Sequence, residues 1–505
     1  MSSTRSIPWV AVLSALALLL WVCSQHAQAQ CSSLHTFTGE ADDHLGWSVS
    51  GAGDVNNDGY ADLIVGALAN VGRADVYSGR TGTLLWTFTG QASLDWFGSS
   101  VAGAGDVDND GYADVIVGSP YNDSVGSDAG LARVFSGHTG DLLWTFVGEA
   151  ATSRLGWSVA GAGDLNNDGY DDVIIGAYWR GPGKAYAHSG QTGELLWSST
   201  GELSGDYFGW SVCGAGDVDN DGHADLIVGA IGNDAGGESA GRVYVHSGQT
   251  GELLWTFTGE AEGDYFGSSV SGAGDVDRDG YGDLIVGAQL SDAGGEQAGR
   301  AYLYSGRTGA VLRTFTGESE GDRFGSSVAG AGDVNGDEYP DLVIGAPYNN
   351  AGGTDAGRAY LYSGRTGLLL WAISGEEAGD RCGGCVSGAG DVDSNGYADL
   401  IVGASSNDAG GTNAGRAYVY SCAPPCDCPC HGDPQCDSMA NLQDVVQTVN
   451  VAFRGATAVT DPLCPREHTD VSCDGVTTVI DVVKMVNVAF RAANRAAEFC
   501  APCEM

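Results

Sequence analysis

The stretch GDVDNDGYADVIVGS (residues 105–119) places Asp106, Asp108, Asp110 and Asp114 at positions 1, 3, 5 and 9 of one short loop, with Tyr112 at position 7. Carboxylates ~4 Å apart repel by about 1 kcal/mol per pair even at the dielectric of water. A hard cation turns that repulsion into binding. Calcium takes about six to eight oxygens, and this spacing offers side chains at 1, 3, 5 and 9 plus the main-chain carbonyl at 7. Gly111 permits the sharp turn. The spacing recurs as Asp54, Asn56, Asp58, Tyr60, Asp62 and as Asp164, Asn166, Asp168, Tyr170, Asp172. It returns as Asp217, Asp219, Asp221, His223, Asp225, then as Asp275, Asp277, Asp279, Tyr281, Asp283. The last two copies are Asp333, Asn335, Asp337, Tyr339, Asp341 and Asp391, Asp393, Asn395, Tyr397, Asp399. Asn at position 3 keeps the oxygen. Glu338 stands where the turn glycine is expected and Asn395 removes a charge, so these last two loops are expected to bind most weakly.

Two further loops lie near the C-terminus. DPQCDSMANLQD (433–444) carries Asp433, Gln435, Asp437, Asn441 and Asp444 at positions 1, 3, 5, 9 and 12. DVSCDGVTTVID (470–481) repeats this with Asp470, Ser472, Asp474, Thr478 and Asp481. Each runs into an apolar stretch, VVQTVNVAFR or VVKMVNVAFR, that reads as a helix.

The elements that position the first set of loops follow from the repeat. The first Asp of each loop recurs at steps of 52, 58, 53, 58, 58 and 58 residues. Each unit holds four short apolar segments with Gly-rich turns, for example FGSSVSGAG, GDLIVGA, GRAYLYSG and VLRTFTGE. Such segments are strands, and four strands about every 55 residues mark a β-propeller. LHTFTGE (34–40) matches a fourth strand, while AGRAYVYSC (414–422) is a third strand with none after it. The first strand should therefore complete the last blade and close the ring. Aligned on blade six, Cys422 falls at Gly364 and Cys31 at Gly367, the ends of a GRTG turn, so a Cys31–Cys422 disulfide is expected to lock the closure.

The bulk numbers agree. A formal charge of −43 argues against a nucleic-acid surface, while 43% hydrophobic residues supply a core. Arg5, the run WVAVLSALALLLWV and AQA at 27–29 read as a signal peptide over 1–29, with no second long apolar segment. Of the 14 cysteines, nine lie from Cys422 to Cys503, as suits an exported, disulfide-bearing tail. The expected organisation is an all-β seven-bladed propeller over 31–421, a Cys/Pro-rich linker over 422–432 and a small α-helical calcium-loop domain over 433–505.

FGSSVAGAGDV…DGYADVIVGS resembles the FG-GAP repeat of the integrin alpha-subunit propeller, over about residues 34–421. That resemblance implies seven blades, calcium loops between first and second strands, and a secreted or cell-surface adhesion role. The tail resembles a dockerin domain, which implies a cohesin-like partner. Cys436, Cys473 and the pairs Leu442-Gln443 and Val479-Ile480 depart from the usual dockerin pattern. The expected protein is bacterial, exported and calcium-binding, and binds an extracellular protein or carbohydrate.

Enzymatic alternatives are a polysaccharide lyase or glycosidase, or a quinone-dependent dehydrogenase suggested by the TG-x-x-x-W core of SGQTGELLWTFTGE (247–260). Against the last, its Trp reads as packing between blades. No HExxH or GxSxG occurs, and His188 and His246 occupy slots held by Tyr304, Tyr362 and Tyr420 in other blades. No catalytic residue is assigned. The ligand is expected on the face opposite the metal loops, across blades one to three. There the 2–3 loops LANVGR (68–73) and YWRGPGK (178–184) are short and flank the long SPYNDSVGSDAG (119–130), gathering Tyr121, Asn122, Asp123, Tyr178, Trp179 and Arg180.

Overall fold

β-Branched and aromatic residues alternate in each repeat because each strand must pack on a pleated, buried surface. The protein is described by a computed structural model over residues 30–423. Within that span each repeat forms a four-stranded antiparallel sheet with strands paired in chain order. In blade two they are Val101–Gly105, Asp114–Ser119, Leu131–Phe135 and Leu142–Val147. The seventh sheet consists of Cys385–Gly390, Asp399–Ala404 and Arg416–Ala423, completed by Gln30–Thr38 from the other end of the propeller. First strands of successive blades lie side by side all the way round, with Ser48–Gly53 of blade one also beside Cys385–Gly390 of blade seven. The expected seven-bladed ring and its closure are both present. The signal segment, the linker and the tail loops lie outside the described residues.

Convergence of seven strands on one axis leaves no room for side chains at the closest approach. A Cβ on Gly103 would come within 2.8 Å of the Gly51 carbonyl oxygen, and one on Gly388 within 2.8 Å of the Gly330 oxygen. Second strands are buried at every residue in all seven blades, because both faces of each sheet meet a neighbouring sheet. Between blades two and three, for example, Val134 and Phe146 pack with Val159, Ile175 and Tyr186. Each such side chain contributes at most about 1.5–3 kcal/mol by burial.

Polar links then fix blade to blade. Trp86, Trp144 and Trp255 donate their indole N–H to the Gly137, Gly190 and Gly306 carbonyls of the next blade at 2.8, 2.8 and 2.7 Å. Packing between blades is thus what these tryptophans do. His188 and His246 likewise sit in the sheets, stacked on Phe146 and beside Trp197 at 4.1 and 4.8 Å. Beneath four of the five long 2–3 loops, Asn122, Asn233, Asn349 and Asn407 donate to the buried Asp95, Asp206, Asp322 and Asp380 at 2.6–3.0 Å, while in blade five Ser291 stands in the asparagine's place beside Asp264. The two short loops lack this asparagine. In blade one Asp43 pairs instead with Arg73 at 2.8 Å, and in blade three Ser153 takes the aspartate's place.

The Cys31–Cys422 disulfide is present. Its setting differs from the expected turn ends: the two cysteines are direct cross-strand partners, Cα–Cα 4.1 Å apart. In other blades a turn interrupts the ladder at this point. Here no chain connects the two strands, so pairing runs on to Gln30 and Ala423.

Candidate metal centres and the opposite loop face

Each metal loop is shaped by its own carboxylates. In blade two, Asp106 accepts the N–H groups of Asp110 and Gly111 at 3.0 and 2.9 Å, and Asp110 accepts that of Tyr112 at 3.0 Å. Asp114 is fully buried and accepts from Val107 and Gly137, both at 2.9 Å. The position-1 and position-9 bonds recur in all seven blades. A carboxylate has about four lone-pair sites, so two amide bonds leave acceptor capacity facing the loop.

That capacity converges. Carboxylate oxygens of Asp106, Asp108 and Asp114 lie within 4.8 Å of one another, as do those of Asp217, Asp219 and Asp225, of Asp275, Asp277 and Asp279, and of Asp391, Asp393 and Asp399. These are blades two, four, five and seven, the ones with Asp at position 3. Blades one, three and six carry Asn56, Asn166 and Asn335 there. Two position-3 oxygens, Oδ1 of Asp108 and of Asn56, are buried without a hydrogen-bond partner. An orphaned buried acceptor is costly, and a cation in each loop would satisfy both oxygens. Burial, with the charges of Asp110 and Asp106, raises the Asp108 pKa. Burial pushes the Asp114 carboxyl up to about 7 and Asp341 up to about 8, against the pull of their backbone N–H partners. The donor set fits a hard divalent cation.

Glu338 does not spoil the blade-six turn. It adopts φ 66° and its N–H still reaches Asp333 at 2.7 Å. The loop has a second left-handed position, the fourth, filled by Asn57, Asn109, Asn167, Asn220, Arg278, Gly336 and Ser394. Recurrent asparagine there was the legible signal. Blade seven, despite Asn395, keeps its Asp391, Asp393 and Asp399 oxygens converged.

The loops are also joined to one another. The N–H at position 8 donates to the position-1 carbonyl of the preceding loop: Ala113 to Asp54, Asp171 to Asp106, Ala224 to Asp164, Gly282 to Asp217, Ala398 to Asp333 and Ala61 to Asp391. The blade-five-to-six link is missing because position 8 is Pro340, which has no N–H. At that joint Arg278 donates to the Glu338 carbonyl at 3.0 and 2.6 Å and to its carboxylate at 2.9 Å. Two residues that depart from the loop pattern, Arg278 at position 4 and Glu338 at position 6, are each other's partners.

The opposite face carries the 2–3 and 4–1 loops. Tyr121, Arg154, Trp179 and Tyr207 form a stack across blades two to four. The Arg154 guanidinium lies 4.8 Å from the Tyr121 ring and 4.2 Å from the Trp179 ring, and Trp179 lies parallel to Tyr207 at 5.5 Å. Tyr178 is buried below, accepting from Arg154 Nη1 at 2.7 Å and touching Trp157 and Trp210. Trp96 extends the cluster from Tyr121 to Trp47. Trp47 and Trp179 are 41% and 43% exposed.

Of the expected ligand residues, Tyr121, Trp179 and the exposed Arg180 are on this face, with Tyr178 supporting them. Asn122 is buried on Asp95, and Asp123 accepts the Asp128 N–H at 2.8 Å, so both shape their loop. Trp47, Trp96, Arg154, Trp157, Tyr207 and Trp210 were missed. Their signal was positional: Trp47, Trp157 and Trp210 stand where Ser99, Ser268 and Ser326 stand in other blades.

Residues 266–304, 324–362 and 386–420 match the FG-GAP repeat, and 45–117 and 164–228 match the FG-GAP-like repeat. The ring is an FG-GAP propeller. The chain is similar to integrin alpha-V of Gallus gallus, 33% identical over 214 residues, covering 38% of this chain and 20% of that protein. It is also 33% identical to integrin alpha-5 of Xenopus laevis over 233 residues, covering 43% and 22%. Integrin alpha-PS2 of Drosophila melanogaster is 33% identical over 217 residues, covering 38% and 15%. The chain spans about a fifth of the length of these curated relatives. No helix among the described residues of the FG-GAP propeller is long and apolar enough to cross a membrane.

Proposed function

We propose that the FG-GAP propeller is an extracellular, calcium-braced binding module of the adhesion type. One observation carries this reading. The loops of one face are spent on cation-ready acidic sites, while those of the other gather a half-exposed aromatic cluster. Exposed Trp, Tyr and Arg on a rigid scaffold are the groups enriched at binding hot spots. Similarity to integrin alpha chains supports the same reading.

The cation is calcium, held by side chains at positions 1, 3, 5 and 9 and the position-7 carbonyl. All donors are oxygens, and their number suits calcium better than magnesium, which keeps several waters and strict octahedral geometry. When bound, it supplies positive charge to loops that otherwise hold up to four carboxylates; the ordered loops then fix the blade ends. The chain acts by binding, without catalysis. It is exported through residues 1–29 and tethered through the dockerin-like tail at 433–505, whose two calcium loops meet a cohesin-like partner.

A screen of glycans and extracellular proteins, with and without EGTA, tests the reading. Once a ligand is found, Trp179→Ala with Tyr121→Ala should weaken binding at least tenfold with an unchanged Tm. Binding that survives the double substitution moves the site elsewhere.

A further inference from the structure

One repeat position on the loop face behaves unlike its backbone would suggest. The residue before the buried Phe, Leu or Cys that leads into each first strand has φ of 52–56° in all seven blades. That conformation favours Gly or Asn. Yet the position holds His44, Trp96, Arg154, Tyr207, Tyr265, Arg323 and Arg381, all large and either aromatic or cationic. Strain kept at an equivalent place in every repeat points to a use for the side chain.

The three arginines share a second feature. Arg242, Arg300, Arg358 and Arg416 each pair with the glutamate that ends the preceding blade, whereas Arg80, Arg133, Arg180, Arg313 and Arg365 form no ion pair among the described residues. Arg154, Arg323 and Arg381 pair with no carboxylate among the described residues, and are held by rings instead. Arg154 lies against Tyr121 and Trp179. Arg323 and Arg381 share the Tyr348 ring at 4.6 and 5.4 Å. A guanidinium stacked on a ring keeps in-plane N–H donors available for a carboxylate or sulfate; in Arg154 these are on Nη2, since Nη1 donates to Tyr178 and Nε is buried. The adjacent Asp322 and Asp380 are buried and turned to Asn349 and Asn407.

We propose that this face takes an acidic polysaccharide. Arg154, Arg323 and Arg381 receive its carboxylate or sulfate groups, the exposed Trp47 ring stacks on a sugar face, and Trp179, whose faces meet Arg154 and Tyr207, offers its exposed edge. The proposal rests on the binding-face reading above and adds the ligand class. A glycan fits better than an acidic peptide. An extended peptide that binds by strand addition needs a sheet edge, and the free edges here belong to the outermost strands, so these loops do not offer a peptide that mode. The arginines stand in blades three, six and seven, so a ligand meeting all of them must be long.

The mature full-length chain, in calcium, should be titrated with polygalacturonate, dextran sulfate, unsubstituted dextran and polyglutamate. At least one acidic polysaccharide should bind, with dextran at least tenfold weaker. Arg154→Gln should reduce that affinity at least tenfold, and Arg323→Gln with Arg381→Gln at least fivefold, each with an unchanged Tm. If one variant folds poorly, the other still decides. Binding that is undiminished in both variants would reveal calcium bridging at the metal loops and overturn the proposal, as would no binding to either polyanion. Preference for polyglutamate would assign a peptide instead. Binding of dextran that depends on Trp179 but not on the arginines would refute the acidic class while leaving the binding face intact. Only binding indifferent to Trp179, Tyr121 and all three arginines would bring down both readings.

Discussion

On one face of the ring, the loops between first and second strands keep Asp at positions 1 and 9 in all seven blades, with the same amide partners each time. On the other, loops of equal structural rank hold Tyr121 and Trp179 in one sector and Arg323, Tyr348 and Arg381 in another. The difference is one of what each loop must satisfy. A loop that folds its carboxylates onto its own amides and leaves oxygens for an ion has little freedom, since moving one donor orphans the rest. On the opposite face the backbone is held from below by buried Asp–Asn pairs such as Asp206–Asn233. Its outward side chains are free to differ.

Cation removal should separate the faces most sharply. EGTA should lower the Tm by on the order of 10 °C, restored by calcium and much less by magnesium, because the ion stabilises only the folded loops. An unchanged melting curve after verified metal removal would erase the distinction, leaving the acidic loops as mere turns. The reverse test is the double substitution Trp179→Ala with Tyr121→Ala, which should cost at least about 1.4 kcal/mol of binding, a tenfold loss, with the Tm unmoved.

Within the metal face, position 3 should rank the sites. Asn56→Asp and Asn166→Asp should raise cation affinity, and Asp219→Asn should lower it, by about three- to tenfold in calorimetric titration. Equal affinities would mean the converged clusters of blades two, four, five and seven have no advantage. The smallest effect is expected at the Pro340 joint. Arg278→Ala should weaken cation binding by the blade-six loop, and adding Pro340→Ala should recover it by restoring the missing N–H. Failure of that rescue would show that neighbouring loops act independently.

The fold and the acidic loops were legible because their signals are local. Asp106 to Asp114 spans one turn, and a strand such as DVIVGS announces itself in six residues. Ring closure was legible from a missing fourth strand. The loop face was only half legible. Tyr121 and Trp179 stood out as loop aromatics, but Arg154 and Tyr207 read as isolated residues between strands. Asn122 looked available until its amide was found on Asp95, 27 residues away in the chain.

By itself, then, the sequence determined what repeats: strand number, the closing strand, the cysteine pair and the donor spacing, because each depends on neighbours within a few residues or on simple counting. Tertiary structure alone decided which residues meet across blades. Arg278 finds Glu338 at a separation of 60 residues, and the Tyr121–Arg154–Trp179–Tyr207 stack draws on four separate loops. The packing of successive blades around one axis brings such residues together, and no periodicity along the chain encodes that rotation.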